Sequence, residues 1–594
     1  MMIALLAIAG VKLVLIQTVD AAAYAAKGEE QRTREITLYA QRGPITDRNG
    51  TVLAFSVEGR ALAVRPALFR SDDQRTAVAG VVLGVLQGSD VAKGLTTAAL
   101  VKKMNSSGKY VYLVRGLTPE QGDAILAKVR KILIPDSFDL TPDQQTKALN
   151  AVVTERQDLR KYPQAGVAET VVGTTGWDTH GLSGVENRFD ARLAGVNGSR
   201  TLEVDSLGRV VPGSARDETP AQDGTGVQLT LDANLQYTTQ QLLQDAVTKQ
   251  CAKGGDAIVL GARDGQIYAM TSYSTTRDAE KLGNRALLGP FEPGSVNKVV
   301  TFAAALERGI IKPTTVFPVQ GEISMGGVVV HDAWPHGEID MTATGILAKS
   351  SNVGTLMIAN KLGEKTYYSE LQKFGLGQKT GIELSEDRGV LPAWNADKAK
   401  SQWTSSTFAN LPIGQGVSMT MLQLAGMYQA VANDGVRVRP SIIESTSTGG
   451  TTTTSSTPQT TRVMSAATAH TLLSMLGAVV QDGQGDYTMT GTAPKAAING
   501  YLVAGKTGTA QQVDPKTNDY SDTMFNSTFA GIVPADNPKY VIVLRLDAPC
   551  TQAEGGTSAA PLFHQIAQYA MDYADVAPST KAAKRYTLYV NTGG

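Results

Sequence analysis

The stretch Phe291–Arg308, FEPGSVNKVVTFAAALER, constrains the fold of this chain more than any other. It opens with a turn at Pro293-Gly294, and apolar side chains then occupy nearly every side of the residues that follow, up to Gly309. A helix that is apolar all round packs inside a domain rather than on its surface. The sequence therefore predicts a buried helix that begins just after this turn.

Two polar residues in the first turn of this helix, Ser295 and Lys298, carry the chemical interest. Residues three apart lie on the same face of a helix, so the amine of Lys298 can reach the hydroxyl of Ser295. A lysine whose pKa is lowered by burial can take the proton of a serine nucleophile. The free N–H groups at a helix N-terminus also favour a developing negative charge. The pair is a candidate nucleophile and general base.

The spacing alone is weak support, because Ser106 and Lys109 have the same Ser-x-x-Lys spacing within NSSGKY. That second copy lies among loop-forming residues with no apolar helix behind it. The copy at Ser295 is preferred because an apolar helix follows it and because two further motifs lie downstream in the chain.

Composition narrows the class of protein. The chain has 594 residues and a net charge of zero, which predicts several domains and gives no reason to expect a nucleic-acid partner. There are two cysteines, Cys251 and Cys550, and no metal-binding pattern of Cys, His and Glu, so we expect no metal and no cofactor. Whether the two cysteines pair is left open.

The N-terminal residues Met1–Val19 are apolar apart from Lys12, Gln17 and Thr18, and are just long enough to cross a bilayer once. A cleaved signal peptide is the alternative, because Ala21–Ala26 offers small-residue cleavage sites. Length and composition leave both predictions open. In both cases the bulk of the chain is extracytoplasmic.

The C-terminal part, residues 226–594, mixes strands and helices and is predicted to be a single α+β domain. Around the buried helix lie strand-like runs at Ala257–Leu260, Gln266–Met270, Leu502–Ala504, Thr528–Val533 and Tyr540–Leu546, and a closing helix at Ala560–Tyr573. The Asp264-Gly265 pair between the first two runs is a hairpin signal. This order predicts an antiparallel sheet flanked by helices.

The N-terminal part, residues 28–225, contains charged clusters without a nucleophile. Asp47 and Arg48 are interpreted as a surface pair. Arg160 with its neighbours, and the segment Gly184–Arg188, are interpreted as structural salt bridges rather than catalytic groups. We expect this part to be non-catalytic.

A low-complexity segment, Glu444–Arg462, has the sequence ESTSTGGTTTTSSTPQTTR. It has almost no apolar side chains to bury. It is predicted to be a mobile surface loop.

A second motif, Ser350-Ser351-Asn352, lies downstream of the buried helix. A hydroxyl and an amide two residues apart can point into one cleft, where Ser350 relays a proton and Asn352 holds a substrate amide and a neighbouring lysine. The alternative is that Ser350 and Asn352 only cap a helix that begins near Val353.

A third motif, Lys506-Thr507-Gly508-Thr509, follows the apolar run Leu502–Ala504. The glycine allows a substrate backbone to approach a strand closely, and the lysine and threonine side chains can bind a carboxylate. Lys379-Thr380-Gly381 is a second copy, but it follows a turn rather than an apolar strand. The copy at Lys506 is therefore preferred.

Ser-x-x-Lys, Ser-x-Asn and Lys-Thr-Gly, in this order, resemble the motif set of the penicilloyl serine transferases. The chain resembles a class B penicillin-binding protein, a peptidoglycan D,D-transpeptidase, over nearly its whole length. Further segments that carry the resemblance are Phe291-Glu-Pro-Gly-Ser295, Gly414-Gln-Gly416, Arg42-Gly43 with Asp47–Gly50, Tyr162-Pro163, Gly181 to Glu186, and Gly555-Gly556. No segment resembles a glycan-polymerising domain. The short Gly181–Glu186 segment and the compact N-terminal half are more similar to the septal, division-type enzymes.

The resemblance favours a single-pass anchor in the cell membrane over residues 1–20 rather than a cleaved signal peptide. It implies an N-terminal pedestal or dimerisation domain over residues 28–225 and a C-terminal penicillin-binding transpeptidase domain over residues 226–594. It also implies a role for each residue of the motifs: Ser295 as nucleophile, Lys298 as base, and Ser350 and Asn352 as proton relay and amide holder. Lys506, Thr507, Gly508 and Thr509 would bind the terminal carboxylate of a stem peptide, and the backbone N–H groups of Ser295 and Thr509 would form the oxyanion hole.

The implied partners are peptidoglycan stem peptides, β-lactams that acylate Ser295, the membrane, a SEDS-family glycan polymerase and divisome proteins. Several alternatives stay open. An elongation-type class B enzyme and a non-catalytic β-lactam-binding sensor or scaffold are two of them. A β-lactamase would share the motifs but is usually a compact single domain, and D,D-carboxypeptidase side activity differs only in using water as the acceptor.

Overall fold

The structure is a computed structural model that describes residues 2–18, 20–135, 140–205, 210–276, 283–455, 457–514, 516–551 and 554–590. The N-terminal helices are α1 Met2–Thr18, α2 Ala21–Arg32, α3 Asp72–Leu86, α4 Thr97–Met104, α5 Pro119–Leu133, α6 Pro142–Leu149, α7 Glu169–Val172, α8 Gly184–Arg188 and α9 Asp190–Leu193. The N-terminal strands are β1 Thr33–Leu38, β2 Ile45–Thr46, β3 Val52–Val57, β4 Arg60–Val64, β5 Val111–Leu117, β6 Val152–Arg156, β7 Leu159–Lys161, β8 Gly198–Glu203, β9 Arg216–Thr219 and β10 Gly226–Leu229.

The C-terminal helices are α10 Ala233–Lys249, α11 Arg285–Leu288, α12 Lys298–Glu307, α13 Ala343–Lys349, α14 Asn352–Leu362, α15 Glu364–Lys373, α16 Thr407–Asn410, α17 Met421–Ala432, α18 Ala466–Gly477 and α19 Ala559–Tyr573. The C-terminal strands are β11 Gly254–Gly261, β12 Ile267–Ser274, β13 Val316–Val319, β14 Glu322–Met325, β15 Val328–His331, β16 Ile339–Thr342, β17 Val436–Val438, β18 Ile443–Thr448, β19 Thr451–Thr454, β20 Thr460–Arg462, β21 Ala504–Val513, β22 Tyr520–Val533 and β23 Tyr540–Asp547.

The predicted anchor segment, residues 1–20, forms α1, and a bend separates α1 from α2. Within the described residues, no single helix has both the length and the apolar character needed to cross a bilayer. Ala7–Thr18 and Ala21–Glu30 meet both criteria only when taken together, and their axes differ by 65°. Met1 and Val19, the ends of the predicted span, lie outside the described residues. The anchor therefore stays a prediction.

The C-terminal sheet is antiparallel, with the strand order β12-β11-β23-β22-β21. Strand β11 is buried on both faces because helices cover both: Ile258 and Leu260 face the core around α12, while Ala257 and Val259 face the core that includes α19. The predicted α+β class, with an antiparallel sheet flanked by helices, is confirmed.

The buried helix is also confirmed, with one difference at its start. Residues 298–305 of α12 are all buried. Ser295, however, lies in a 3₁₀ turn, Gly294–Asn297, rather than in the first α-helical turn. Residues i and i+3 eclipse each other in a 3₁₀ helix, which keeps Ser295 and Lys298 on the same side.

The strand that carries the third motif differs from the prediction. It was expected at Leu502–Ala504, ahead of Lys506, but β21 begins at Ala504 and contains the whole motif. The apolar run ends there, yet the strand continues because pairing with β22, from Ala504 with Ile532 to Val513 with Tyr520, supplies its hydrogen bonds.

The prediction of a mobile loop over 444–462 is wrong for its described residues. They form strands β18, β19 and β20, and β18 pairs with β10 in a sheet of order β19-β18-β10-β2-β3-β7 that joins the two halves of the chain. Gly449 and Gly450, with φ of 56° and 81°, form the two-residue turn between β18 and β19. Threonine favours strands, and a preformed sheet edge removes the need for a core of its own.

The charged clusters of the N-terminal half have structural partners, as predicted for Arg160 and the Gly184–Arg188 segment. Glu186 is fully buried and accepts from Arg42 Nε at 2.8 Å and from Arg160 Nε at 2.6 Å. The surface pair predicted for Asp47 and Arg48 is wrong. Asp47 is buried, and its carboxylate accepts backbone N–H groups of its own turn and of Ala233. The Arg48 guanidinium lies over the Tyr268 ring instead of pairing with Asp47.

Cys251 and Cys550, whose pairing the sequence left open, form a disulfide with their Cα atoms 5.6 Å apart. The bond joins the residues that follow α10 to those that follow β23. It therefore ties β11 and β23 together next to the paired residues Gly254 and Asp547.

Candidate active site

The nucleophile turn lies between strand β21 and the loop at Gly414. Gly294, with a φ of 60°, donates its N–H to Gly414 O at 3.0 Å, and a side chain at this position would meet Thr509 O at 3.1 Å. The backbone N–H of Lys298 donates to Ser295 O. The positive φ explains the glycine before Ser295, and the close approach brings Ser295 beside the third motif.

The second motif breaks the chain between α13 and α14. Ser350 adopts a left-handed conformation, with a φ of 62°, which few non-glycine residues do. The cap of α14 is Ser351, whose side chain accepts from Gly354 N. The side chains of Ser350 and Asn352 therefore do not cap α14, and the prediction that they only cap this helix is wrong.

Lys298 is fully buried and donates to three oxygens of the second motif: Ser350 O at 2.5 Å, Ser350 Oγ at 3.3 Å and Asn352 Oδ1 at 2.7 Å. Burial lowers the pKa of Lys298 to about 7, although the charge of Asp332 opposes the shift. Asn352 therefore holds the lysine, and the lysine is poised to exchange a proton near neutral pH.

Lys506 reaches the same serine from the opposite wall of the cleft. Its ammonium donates to Ser350 Oγ at 2.8 Å and to Thr507 O at 3.0 Å. Burial, and to a smaller extent the charge of Lys298, lower its pKa well below the usual value for lysine. In the described part of the chain neither lysine forms an ion pair, so an anionic ligand would favour the charged form of both amines.

The Ser295 hydroxyl has no hydrogen-bond partner among the residues that the structure describes. The predicted contact with the Lys298 amine is therefore not a hydrogen bond in this conformation, and the amine bonds to Ser350 and Asn352 instead. Ser295 and Lys298 lie in the same turn. Rotation of their side chains would therefore be needed to bring the hydroxyl and the amine into contact.

The threonines of the third motif point to different surroundings. Thr507 is buried and its Oγ1 lies 2.9 Å from Thr492 Oγ1, whereas Thr509 is exposed and its Oγ1 accepts from Gly555 N at 3.3 Å. A side chain on Gly508 would approach Thr528 Oγ1 to 2.1 Å and Pro293 O to 2.8 Å. The glycine is therefore also required for packing against the nucleophile turn.

The two duplicate motifs lie elsewhere. Ser106 and Lys109 are exposed in the connection between α4 and β5. Thr380, in the other copy of Lys-Thr-Gly, donates its N–H and its hydroxyl to Glu386, at 3.0 and 2.6 Å. That copy therefore binds a carboxylate of its own chain.

Asp332 is a residue that the sequence did not single out. Its buried carboxylate accepts from Ser351 Oγ at 2.7 Å, Val353 N at 3.0 Å and His336 Nε2 at 3.1 Å, and also from the backbone N–H of Asn352. A carboxylate at the N-terminus of α14 is favourable and fixes the second motif. The acid comes from the segment after β15, so sequence spacing gave no signal for it.

Two family models match the chain. The "Penicillin binding protein transpeptidase domain" matches residues 255–568, and the "Penicillin-binding Protein dimerisation domain" matches residues 37–229.

Curated and solved relatives agree with these matches. The chain is 43% identical to penicillin-binding protein PbpB of Mycolicibacterium smegmatis, over 99% of this chain and 91% of that protein. It is 28% identical to the peptidoglycan D,D-transpeptidase FtsI of Escherichia coli, over 91% of this chain and 85% of that protein. A crystal structure of penicillin binding protein 3 from Mycobacterium tuberculosis, complexed with aztreonam, superposes with a TM-score of 0.70 at 38% identity, covering 94% of this chain and all of that one.

Proposed function

The chain belongs to the class B penicillin-binding proteins, and we propose that it crosslinks peptidoglycan as a serine D,D-transpeptidase through an acyl-enzyme on Ser295. The observation that carries the proposal is the meeting of two buried lysines on one hydroxyl: Lys298 and Lys506 both donate to Ser350 Oγ. This hydroxyl links the residue that activates the nucleophile to the residue that binds the leaving group.

In the acylation step, Ser295 Oγ attacks the carbonyl between the last two D-alanines of a stem peptide. Lys298 takes the hydroxyl proton, which its depressed pKa of about 7 allows. The N–H groups of Ser295 and Thr509 stabilise the oxyanion of the tetrahedral intermediate. The approach of Gly294 to Thr509 supports this pairing of donors.

Collapse of the intermediate breaks the bond between the carbonyl carbon and the terminal D-alanine nitrogen. The proton passes from Lys298 through Ser350 Oγ to that nitrogen, so that D-alanine leaves as an amine. The amine of a second stem peptide then attacks the ester, loses its proton to Lys298, and forms the crosslinking amide while Ser295 regains its proton.

The carboxylate of the terminal D-alanine is assigned to the third motif. Lys506 supplies positive charge, and Thr507 and Thr509 supply hydroxyl donors. Gly508 allows the strand to lie against the nucleophile turn. An anion in this position would also raise the pKa of Lys506 and so favour its charged form.

The rest of the chain is proposed to place this site at the division septum. Residues 1–20 would anchor the protein by a single pass, residues 28–225 would act as the pedestal or dimerisation domain, and residues 226–594 would be extracytoplasmic. The names FtsI and PbpB of the relatives and the short Gly181–Glu186 segment favour the septal role over elongation. A SEDS-family glycan polymerase and divisome proteins are the proposed partners.

Labelling with a fluorescent penicillin tests the assignment. Wild type is expected to form a stable adduct, Ser295→Ala to form none, and Ser106→Ala, the matched duplicate motif, to label like wild type. Incubation with pentapeptide substrates is expected to yield stem-peptide dimers.

Other outcomes would each remove part of the proposal. Labelling of Ser295→Ala would remove the nucleophile. Rapid loss of the label would indicate a β-lactamase, and release of D-alanine without dimers would indicate a carboxypeptidase. A stable label without any turnover would indicate a sensor or scaffold.

A further inference from the structure

Lys349, the residue before Ser350, is a buried lysine that the mechanism above does not use. Its ammonium donates to Tyr487 O at 2.7 Å and to Thr490 O at 3.1 Å, and it lies 3.4 Å from the centroid of the Tyr487 ring. Burial lowers the pKa of this lysine to about 8. A buried amine that is held by carbonyls of a distant loop needs an explanation.

The loop that Lys349 holds, residues 487–492, also contacts the third motif. Thr492 donates its backbone N–H to Ala348 O at 3.2 Å, and its hydroxyl lies 2.9 Å from Thr507 Oγ1. The loop therefore bonds to Ala348 and Lys349, the two residues before Ser350, and through Thr492 also to Thr507 of the third motif.

The same loop is held from behind. Gln481 Nε2 donates to Met489 O at 2.6 Å, and Gly491 N donates to Gln481 O at 2.9 Å. These bonds hold the loop against Gln481, while the contacts of Lys349 and Ala348 hold it against the end of α13. A shift of the Lys349 amine would therefore be passed to Thr492, and from Thr492 to Thr507.

A purely structural role is the competing explanation, because lysines near a helix C-terminus often bond to the last carbonyls of their own helix. Lys349 instead bonds to carbonyls more than a hundred residues away. A purely structural role does not explain why Lys349 lies between the second and third motifs.

We propose that Lys349 is a positioning residue that sets Thr507 in register with Ser350, so that the carboxylate of the donor and its leaving nitrogen are recognised together. The inference rests on the proposed function, because it assumes that Thr507 binds the carboxylate of the acylating molecule. It assigns specificity to Lys349 and Thr492, neither of which belongs to a motif.

The test compares benzylpenicillin with its methyl ester, which lacks the free carboxylate. The measured quantity is the ratio of the two second-order acylation constants in the full chain. Wild type is expected to prefer the free acid. Lys349→Met and Thr492→Val are each expected to lower that preference about tenfold, the effect of weakening one charge-assisted hydrogen bond. Lys361→Met, an exposed lysine at the end of the neighbouring α14, is the matched control and is expected to leave the ratio unchanged.

The ratio separates positioning from stability, because a variant that is merely less stable loses acylation by both probes equally. An equal loss, or an unchanged ratio in both variants, would overturn the inference. Thr492→Val keeps the test decisive if Lys349→Met fails to fold, since it removes a single hydroxyl. If the wild-type protein is acylated and prefers the free acid, the proposed function stands whatever the variants do. If the wild-type protein is not acylated at all, both the proposed function and the inference about Lys349 fail.

Discussion

Two clusters of buried charge, one in each half of the molecule, differ in composition and in what they can do. In the N-terminal half, Arg42 and Arg160 lie against Glu186, with Asp190 at 2.7 Å from Arg42 Nη1. In the C-terminal half, Lys298 and Lys506 lie against the hydroxyl of Ser350, and within the described ranges neither has a carboxylate partner.

The difference follows from the chemistry of the two cations. A guanidinium stays charged in proteins and pairs with a carboxylate through two parallel N–H groups, so arginine suits a permanent, balanced cluster. A lysine sheds its proton when burial makes the charge costly, so lysine suits a site that exchanges protons. The N-terminal cluster stabilises the fold, and the C-terminal cluster is able to take up and release a proton.

The largest effect on acylation, and so the clearest difference between the two clusters, is expected for Lys298→Met. The substitution keeps the volume and removes the base, so acylation by penicillin should fall about a thousandfold, the usual contribution of a general base. Stopped-flow measurement of the acylation constant checks this. Lys109→Met, in the duplicate Ser-x-x-Lys motif, should acylate at the wild-type rate, and an equal loss in both variants would contradict the assignment.

The next effect is expected for Glu186→Gln, which leaves two buried guanidinium groups without their shared carboxylate. Breaking a buried ion pair in this way costs about 3–5 kcal/mol of unfolding free energy. Denaturant unfolding of the N-terminal half measures it.

Acylation by penicillin under native conditions should stay at the wild-type rate in Glu186→Gln, because the partners of this carboxylate are Arg42, Arg160 and Tyr162 and not residues of the three motifs. The exposed Glu35→Gln is the matched control and should not change the unfolding midpoint. Loss of acylation without loss of stability would break the distinction between the clusters.

A smaller effect is expected for Asp332→Asn, which weakens the contacts that hold the second motif. The acylation constant should fall about tenfold, as hydrogen bonds to a charged group are lost. Asp332 also raises the pKa of Lys298 by its charge, so the pH at which acylation levels off should move lower. The exposed Glu338→Gln, in the same segment, should change neither quantity, and an unshifted pH profile in Asp332→Asn would argue against this role.

The residues of the three motifs could be predicted from sequence because each stands in a distinct local pattern: a buried helix, a polar break between helices, and an apolar strand. The antiparallel sheet could be predicted for the same reason. Asp332 and Lys349 could not, because their partners are set by tertiary contacts and not by spacing. The segment 444–462 was misjudged because its strands depend on the edge of β10, which local composition does not reveal.

The central claim is that burial provides a neutral amine at Lys298 near physiological pH. The pH dependence of the acylation constant, measured between about pH 5 and 9, tests it most directly. Because the neutral amine is the base and its population rises as pH passes the folded pKa, the constant should rise about tenfold per pH unit at low pH and level off near pH 7. A constant that continues to rise toward the ordinary pKa of lysine, or one that does not change with pH, would contradict the account.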